Sequence, residues 1–183
     1  MEIRPATVDD GVLLAPLAEG ALRATYAPFA QRVVYESVIA QTCMPQALAA
    51  TIAAATDGAD GAAGWFLVAV EDERPVGFLD FGGDGHVLEL RRLYTAADQT
   101  GRGIGAALLA DLEARLAPGT TYTAIVHVAN TRALAFWARH GFETVGVVDT
   151  RDHFQAHRGL SFTEPAEPEP ALILERVVGQ GDR

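Results

Sequence analysis

The clearest structural signal in the sequence is the stretch Thr100-Gly101-Arg102-Gly103-Ile104-Gly105-Ala106. It follows a predicted strand over 87–95 and begins an amphipathic helix that the apolar periodicity predicts over 101–116. Alternating glycines let the chain turn tightly and let a ligand approach the backbone. The first N–H groups of a helix have no partner within it and lie at the positive end of its dipole. The stretch therefore predicts a pyrophosphate-binding loop, with Arg102 available for a phosphate oxygen.

Two other phosphate-binding motifs fit this stretch less well. The Walker loop needs Gly-Lys-Ser/Thr, and the sequence contains no Lys. The dinucleotide fingerprint G-x-G-x-x-G/A matches loosely, but that fold needs an acidic residue near the end of the next strand. Here the next strand ends Val126-His127-Val128-Ala129-Asn130, without an acidic group. Dinucleotide binding stays a weaker alternative.

A second motif follows one strand later, in a helix predicted over 131–140. Its residues are Asn130, Ala133, Phe136-Trp137 and Gly141-Phe142. Together with Leu93-Tyr94-Thr95 and the glycine stretch, it resembles the GNAT superfamily of N-acetyltransferases. The glycine stretch is similar to the family pattern Gln/Arg-x-x-Gly-x-Gly/Ala, with Thr100 at the Gln/Arg position. The second motif is similar to Asn-x-x-Ala-x-x-Phe-Tyr-x-x-x-Gly-Phe, with Trp137 in place of Tyr.

The resemblance implies the GNAT fold and its cofactor. That fold is α/β (α+β), a mixed central sheet of about six to seven strands flanked by helices, with strands splayed at the acetyl-CoA site. In the family a bulged strand offers backbone N–H groups, here near 93–95, to the thioester carbonyl. The residues implied to bind acetyl-CoA are Leu93, Tyr94, Thr95, Thr100, Gly101, Arg102, Gly103, Ile104, Gly105, Ala106, Asn130 and Trp137.

The resemblance implies direct attack by a primary amine of a small molecule or peptide, and a base must then take a proton. Glu89 is the candidate, acting directly or through water, against the alternative of an ion pair with Arg91 or Arg92. Asp80 is a weaker candidate. Because an indole is no acid at neutral pH, Trp137 leaves the family's general-acid position empty. The substitutes are Tyr94, His127 and His140, and a non-catalytic acyl-CoA-binding or sensing module stays an alternative.

The acceptor pocket is expected from segments that differ most among such folds. Tyr26 and Phe29 are candidates to line it, although core packing would also explain them. The segment 150–170 is predicted to be extended and solvated, including Glu164, Glu167 and Glu169. His153 and His157 are four residues apart without a third ligand nearby, so we interpret them as loop histidines and predict no metal site.

Composition limits the remaining possibilities. The 183 residues include 24 acidic and 14 basic ones, a net charge of −10, which argues against nucleic acid as a partner. Cys43 is the only cysteine, no apolar run reaches a membrane span, and we expect a cytoplasmic protein. We predict one domain over 1–178, a flexible tail over 179–183, and leave a homodimer open.

Overall fold

The computed structural model describes residues 1–56, 64–83, 87–162 and 167–179. Within them lie seven strands: β1 Glu2–Pro5, β2 Trp65–Glu71, β3 Arg74–Gly83, β4 Leu88–Thr95, β5 Thr121–His127, β6 Glu143–Asp149 and β7 Pro170–Val177. The same residues form six α-helices: α1 Asp10–Tyr26, α2 Arg32–Thr42, α3 Pro45–Thr56, α4 Ile104–Arg115, α5 Thr131–Arg139 and α6 Thr150–Arg158. A short 3-10 turn, Ala97–Gln99, joins β4 to the glycine stretch.

The strands form one mixed sheet in the order β1-β2-β3-β4-β5-β7-β6. Every neighbouring pair is antiparallel except β4 and β5, which are parallel. The register of β3 against β4 shifts between Asp80, opposite Arg92, and Phe81, opposite Leu90. Arg91 is thus the extra residue of a bulge in β4. The mixed, helix-flanked sheet expected from the resemblance is confirmed.

The sheet has an apolar core on each face. One core packs α1, α2 and α3 against β2 and β3, and it includes Leu14, Leu48, Ile52 and Phe78. The other packs α4 against the opposite face, and Ile104, Leu108 and Leu112 of its four-residue stripe are buried there. These two layers hold the central strands rigidly, so the strand ends near the glycine stretch form a fixed wall.

Three helices differ from the sequence-based prediction. A proline inside a helix favours a kink or a later start, but helix α1 continues through Pro16. Pro16 has no N–H to donate to the carbonyl four residues earlier. It lies on the exposed face of the helix, where water can donate to that carbonyl instead. Helix α2 lies in a region whose pattern was mixed. Helix α6 occupies part of the 150–170 segment, so the prediction of an extended chain there is wrong, and His153 and His157 are helical rather than loop residues.

Two of the sequence-based expectations lie outside the described residues. One is a loop that the Gly-, Ala- and Asp-rich composition of residues 56–64 predicts, which falls largely on residues 57–63, and the other is the tail, which falls on residues 180–183. Among described helices, none is long and apolar enough by itself to cross a membrane. The pair Arg32–Thr42 and Pro45–Ala55, bent by 65°, satisfies that test jointly on length and composition, and both helices bury side chains in the core.

We predict that Gly77 cannot carry a side chain where α4 crosses β3. A Cβ at Gly77 would lie 2.9 Å from the carbonyl oxygen of Tyr94 and 2.9 Å from Cγ2 of Ile104. Gly77→Ala should lower the free energy of unfolding by about 1–3 kcal/mol, measured by urea denaturation.

The matched control for this change is Gly20→Ala. Gly20 is exposed in α1 and has no atom within 4 Å of a built Cβ, so alanine there should raise stability by about 0.5–1 kcal/mol. Equal effects of the two substitutions would contradict the close packing of β3 on α4.

Candidate functional site

The site lies where the only parallel pair of described strands separates. Strands β4 and β5 pair at one position, Glu89 opposite Thr123, and diverge beyond it. A cavity of about 880 Å³ opens between the diverging ends. Its walls come from the end of α1, from β4 and β5, from the beginning of α4 and from α5. The expected splaying is therefore present, and it leaves main-chain groups on the facing edges of β4 and β5 without strand partners.

The glycine stretch forms one end of this cavity. Gly101 and Gly103 have φ values of +84° and +82°, and Gly103 is the N-cap of α4. Nothing lies within 4 Å of a Cβ built on either residue, so the left-handed backbone, not lack of space, favours glycine. The first N–H groups of α4 have no partner within the helix, and residues 103–106 line the cavity. This arrangement fits an anion.

The side chain of Arg102 points away from that end. Its Nη1 lies 2.9 Å from Oε2 of Glu71, and the same atom contacts Gln99. About half of the side chain is exposed, and Arg102 is not among the cavity-lining residues. In this structure the guanidinium expected at a phosphate is bound to a carboxylate instead. The backbone beside it, at Gly101 and Gly103, does line the cavity.

Helix α5 forms the facing wall. Asn130 caps it, because its Oδ1 accepts a hydrogen bond of 3.1 Å from the N–H of Ala133, and Asn130 also lines the cavity. Trp137 is buried, packs on Phe142 at 4.7 Å between ring centroids, and lines the cavity. Sequence reasoning missed Arg132 and Arg139, which also line it. Their seven-residue spacing on a predicted helix could have indicated a shared face.

The candidate acids have different surroundings. Burial raises the pKa of Tyr94, which makes its hydroxyl a weaker acid than usual. Burial lowers the pKa of His127, and the Nδ1 of that ring accepts from the N–H of Ala129 at 3.1 Å. The Nδ1 of His140 lies 2.8 Å from the carbonyl oxygen of Phe136 and must donate, because a carbonyl only accepts. Tyr94 and His140 line the cavity.

Glu89 lies at the base of the splayed strands, 8% exposed, and contacts two side chains of α6. Its Oε2 lies 3.3 Å from Nε2 of His153, and Arg158 contacts its Oε1. Burial raises the pKa of Glu89, but the hydrogen bond from His153 and the charges of Arg158 and His153 outweigh burial and lower the pKa to about 2. Glu89 is therefore ionised at neutral pH.

Arg91 and Arg92 bind Asp80 rather than Glu89. Arg91 Nη2 lies 2.8 Å from Oδ1 of Asp80, and Arg92 Nη2 lies 2.8 Å from Oδ2. Consecutive strand residues normally point to opposite faces, and the bulge at Arg91 lets both reach one carboxylate. Asp80 is 2% exposed with both oxygens engaged, so it is not placed to take a proton from a substrate.

The acceptor candidates lie at the α1 end of the cavity. Tyr26 and Phe29 both line it, with ring centroids 5.7 Å apart, and Phe29 also lies 4.9 Å from the ring of His127. The expectation of a solvated acidic series is wrong for Glu169, which is 4% exposed and accepts from the N–H of Gln31. Glu167 is exposed, and Glu164 lies outside the described residues.

The part of the chain that the structure describes contains no cluster of three or more His, Cys, Asp or Glu residues that could hold a metal ion. The groups that the structure places at or beside the site are main-chain amides, the arginines of α5 and the side chains around Glu89. Such a set can bind an anionic carrier at one end and take part in proton transfer at the other.

Comparison with known proteins identifies a family. Residues 33–142 match the model of the acetyltransferase (GNAT) family. No curated protein sequence matches the chain. Among solved structures, PaiA N-acetyltransferase from Thermoplasma acidophilum in complex with coenzyme A has a TM-score of 0.73 and 23% identity, with 96% of this chain and 98% of that chain covered.

Two further structures share the fold. YncA from Salmonella typhimurium with its cofactor acetyl-CoA has a TM-score of 0.69 and 18% identity, with coverage of 100% of this chain and 96% of that chain. Ribosomal-protein-alanine N-acetyltransferase from Brucella melitensis has a TM-score of 0.62 and 23% identity, with coverage of 97% and 99%.

We predict that Asp80→Asn destabilises the protein strongly, because it leaves the buried guanidinium of Arg92 and the half-buried one of Arg91 without a counter-charge. The expected loss is about 3–5 kcal/mol in the free energy of unfolding, measured by urea denaturation. The control is Asp111→Asn, which removes the more exposed pair with Arg115 and should cost less than about 1 kcal/mol. Similar losses in both variants would contradict the role of Asp80.

Proposed function

The chain belongs to the GNAT family of acetyltransferases, and from that premise we propose that it transfers an acetyl group from acetyl-CoA to a primary amine of a small molecule or peptide. The observation that carries the proposal is the cavity between the diverging ends of β4 and β5, with the first turn of α4 at one end. An acyl carrier with a diphosphate suits this cavity, since the diphosphate matches the helix N-terminus. Membership in the family replaces the dinucleotide-binding alternative.

The proposed acetyl-CoA site uses the backbone more than side chains. Main-chain N–H groups over 101–106 would hold the diphosphate, and the free edge of β4 would pair with the amides of the pantetheine arm as an added strand does. Bound acetyl-CoA supplies an acetyl group already activated as a thioester. Amides near Leu93, Tyr94 and Thr95 would then stabilise the oxyanion that forms when the amine attacks.

Arg132 and Arg139 are proposed to supply the positive charge that this acidic chain otherwise lacks at the cavity. Among the described residues neither guanidinium forms an ion pair, whereas Arg91 and Arg92 are held by Asp80 and Arg102 by Glu71. Both arginines line the wall facing the glycine stretch. Coenzyme A carries phosphate oxygens that two free guanidinium groups can bind.

Proton transfer is proposed to involve Glu89 through an intermediary. With a pKa lowered to about 2, the carboxylate accepts hydrogen bonds but holds a proton poorly at neutral pH. No general acid is proposed, because Trp137 offers none and burial raises the pKa of Tyr94. Coenzyme A leaves as a thiolate, which is a sufficiently good leaving group without one.

Several expectations from the sequence remain predictions. Residues 1–178 are proposed as a single domain, supported by a sheet that includes strands from near both ends of the described chain. The homodimer, the cytoplasmic location and the absence of nucleic acid or membrane partners also remain predictions. The non-catalytic acyl-CoA module remains the second candidate function, because Trp137 stands where the family often has Tyr and Glu89 is held in ion pairs.

We predict that the purified protein releases free thiol from acetyl-CoA only when an amine acceptor is present. The assay follows thiol with a colour reagent while a panel of small amines and peptides with free N-termini is added, and mass spectrometry identifies acceptors that gain an acetyl group. Coenzyme A binding by calorimetry without turnover on any acceptor would favour the module. No heat with coenzyme A would contradict both functions.

We predict that Arg132→Ala and Arg139→Ala each weaken coenzyme A binding by about 10-fold, the effect of losing about 1.4 kcal/mol from a charge-assisted contact. Calorimetry with coenzyme A and with dephospho-coenzyme A measures the change and shows which phosphate each residue binds. Arg74→Ala is the control, since Arg74 is exposed and does not line the cavity. Equal affinities in all three variants would remove α5 from the phosphate site.

A further inference from the structure

The buried contact between α6 and Glu89 has no role in binding acetyl-CoA as proposed above. His153 Nε2 lies 3.3 Å and 3.4 Å from the two carboxylate oxygens of Glu89, and the side chain of His153 is 10% exposed. Arg158, on the same helix, contacts the carboxylate as well. Ion pairs that lie in solvent contribute little to the free energy of folding. Here three ionisable groups meet under the helix.

Resting on the proposed acetyl transfer, we propose that His153 takes the proton from the attacking amine and that Glu89 is the positioning residue that orients the imidazole. An ionised carboxylate can only accept, so the Nε2 of His153 carries the hydrogen that points at Glu89. The lone pair of the neutral ring is then on Nδ1. No described residue forms a hydrogen bond with that Nδ1.

The chemistry favours the imidazole over the carboxylate as the base. A carboxylate held as an anion by the guanidinium of Arg158 and by a hydrogen bond from the neutral ring of His153 gives up a proton much more readily than it takes one from an amine. A neutral imidazole has a lone pair that can take a proton from an amine, and histidine is the side chain that most often acts as a general base. Glu89 then stabilises the imidazolium that forms, as the carboxylate does in other carboxylate–imidazole pairs.

The cluster borders the acceptor end of the cavity. Arg158 Nη1 donates a hydrogen bond of 3.2 Å to the carbonyl oxygen of Arg91, and both Leu90 and Arg91 line the cavity. Burial raises the pKa of Tyr26 and the charge of Arg158 opposes that rise, so the cluster acts electrostatically on a cavity-lining tyrosine. Neither Glu89 nor His153 is among the residues that line the cavity, so the proposal requires that the proton pass from the amine to the imidazole through water at this border.

The charged and titratable groups around His153 come from two elements, and of these Glu89 and His157 contact the ring while Arg158 contacts Glu89. From β4, Glu89 favours a positive imidazole. From α6, the positive charge of Arg158 opposes a positive imidazole, and the ring of His157 lies 4.9 Å away and opposes it when protonated.

In the proposed reaction step, the C–N bond forms as the proton leaves the amine nitrogen for Nδ1 of His153. The C–S bond then breaks, its electron pair stays on sulfur, and the thiolate takes a proton from the imidazolium or from water.

The first test needs no acceptor or acetyl-CoA. Nitrogen-15 NMR of the histidine rings reports which nitrogen carries the hydrogen in the full-length protein. We expect the Nε2–H tautomer for His153 at pH 8, and a loss of that preference in Glu89→Gln. Finding hydrogen on Nδ1 in the wild-type protein would overturn the proposal, because the base would then have no lone pair at the free position.

The second test is kinetic, with saturating acetyl-CoA and an acceptor found in the thiol-release assay. His153→Gln should lower kcat by about 10²–10⁴-fold and remove the acid limb of the pH profile, with coenzyme A affinity unchanged. Added imidazole should partly restore His153→Ala, which a purely structural role would not allow. His157→Gln, one turn further along α6, should keep kcat and retain the acid limb, shifted slightly to higher pH because a charge that opposes the imidazolium is lost.

The outcomes separate this inference from the proposed function. If the wild-type protein binds coenzyme A but acetylates no amine, the result contradicts the proposed function and, with it, the proposed role of His153. An active wild-type protein whose His153→Gln variant is folded and keeps both kcat and the acid limb overturns the role of His153 alone.

Discussion

The single bridge between β4 and β5 is the constraint on which the site depends. Strands β1 to β4 form one fully paired antiparallel unit, and β5, β7 and β6 form another. Between the units only Glu89 opposite Thr123 is paired, reinforced by a bond of 3.3 Å from the Thr123 hydroxyl to the carbonyl oxygen of Leu88. Because each unit is held by its own antiparallel ladders, the ends of β4 and β5 can part and leave free main-chain groups without breaking those ladders.

The arginines around that opening are of two kinds: some are held in ion pairs within the fold, and others have guanidinium groups at the cavity that form no ion pair with any described residue. Asp80 engages Arg91 and Arg92 behind the bulge, and the Cζ of Arg92 also lies 5.7 Å and 5.9 Å from the ring centroids of Phe66 and Phe78, which stack on each other. A guanidinium so placed is buried and neutralised, and it is not available to a phosphate. In a chain of net charge −10, few cations are therefore left at the cavity, and this is why we propose Arg132 and Arg139 of α5 as the residues that bind phosphate.

Local signals in the sequence were enough to predict the backbone of the glycine stretch, where we propose that the diphosphate binds. Gly101 and Gly103 adopt left-handed φ values that glycine favours, and so does Gly141, which directly follows the C-cap residue of α5. Helix α6 was not predicted, because its residues have no apolar stripe and the following Pro/Glu run indicates extended chain. Residues typical of helix ends nevertheless stand on both sides of α6. Asp149 is its N-cap and accepts from the N–H groups of Arg151 and Asp152, and Gly159 is its C-cap with φ +62°.

The local pattern of residues was thus sufficient for the glycine loop, the helix behind it, the mixed α/β class and the family. Backbone conformation and helix dipoles act within a few residues, so they are visible in the sequence. The ion-pair partners of the charged side chains could not be predicted from the sequence. Arg91 and Arg92 follow Glu89 within three residues of the chain, yet Glu89 binds Arg158, 69 residues away, because a one-residue bulge directs both nearer arginines to Asp80. Such choices depend on strand register and on packing between distant segments, and only the folded chain determines them.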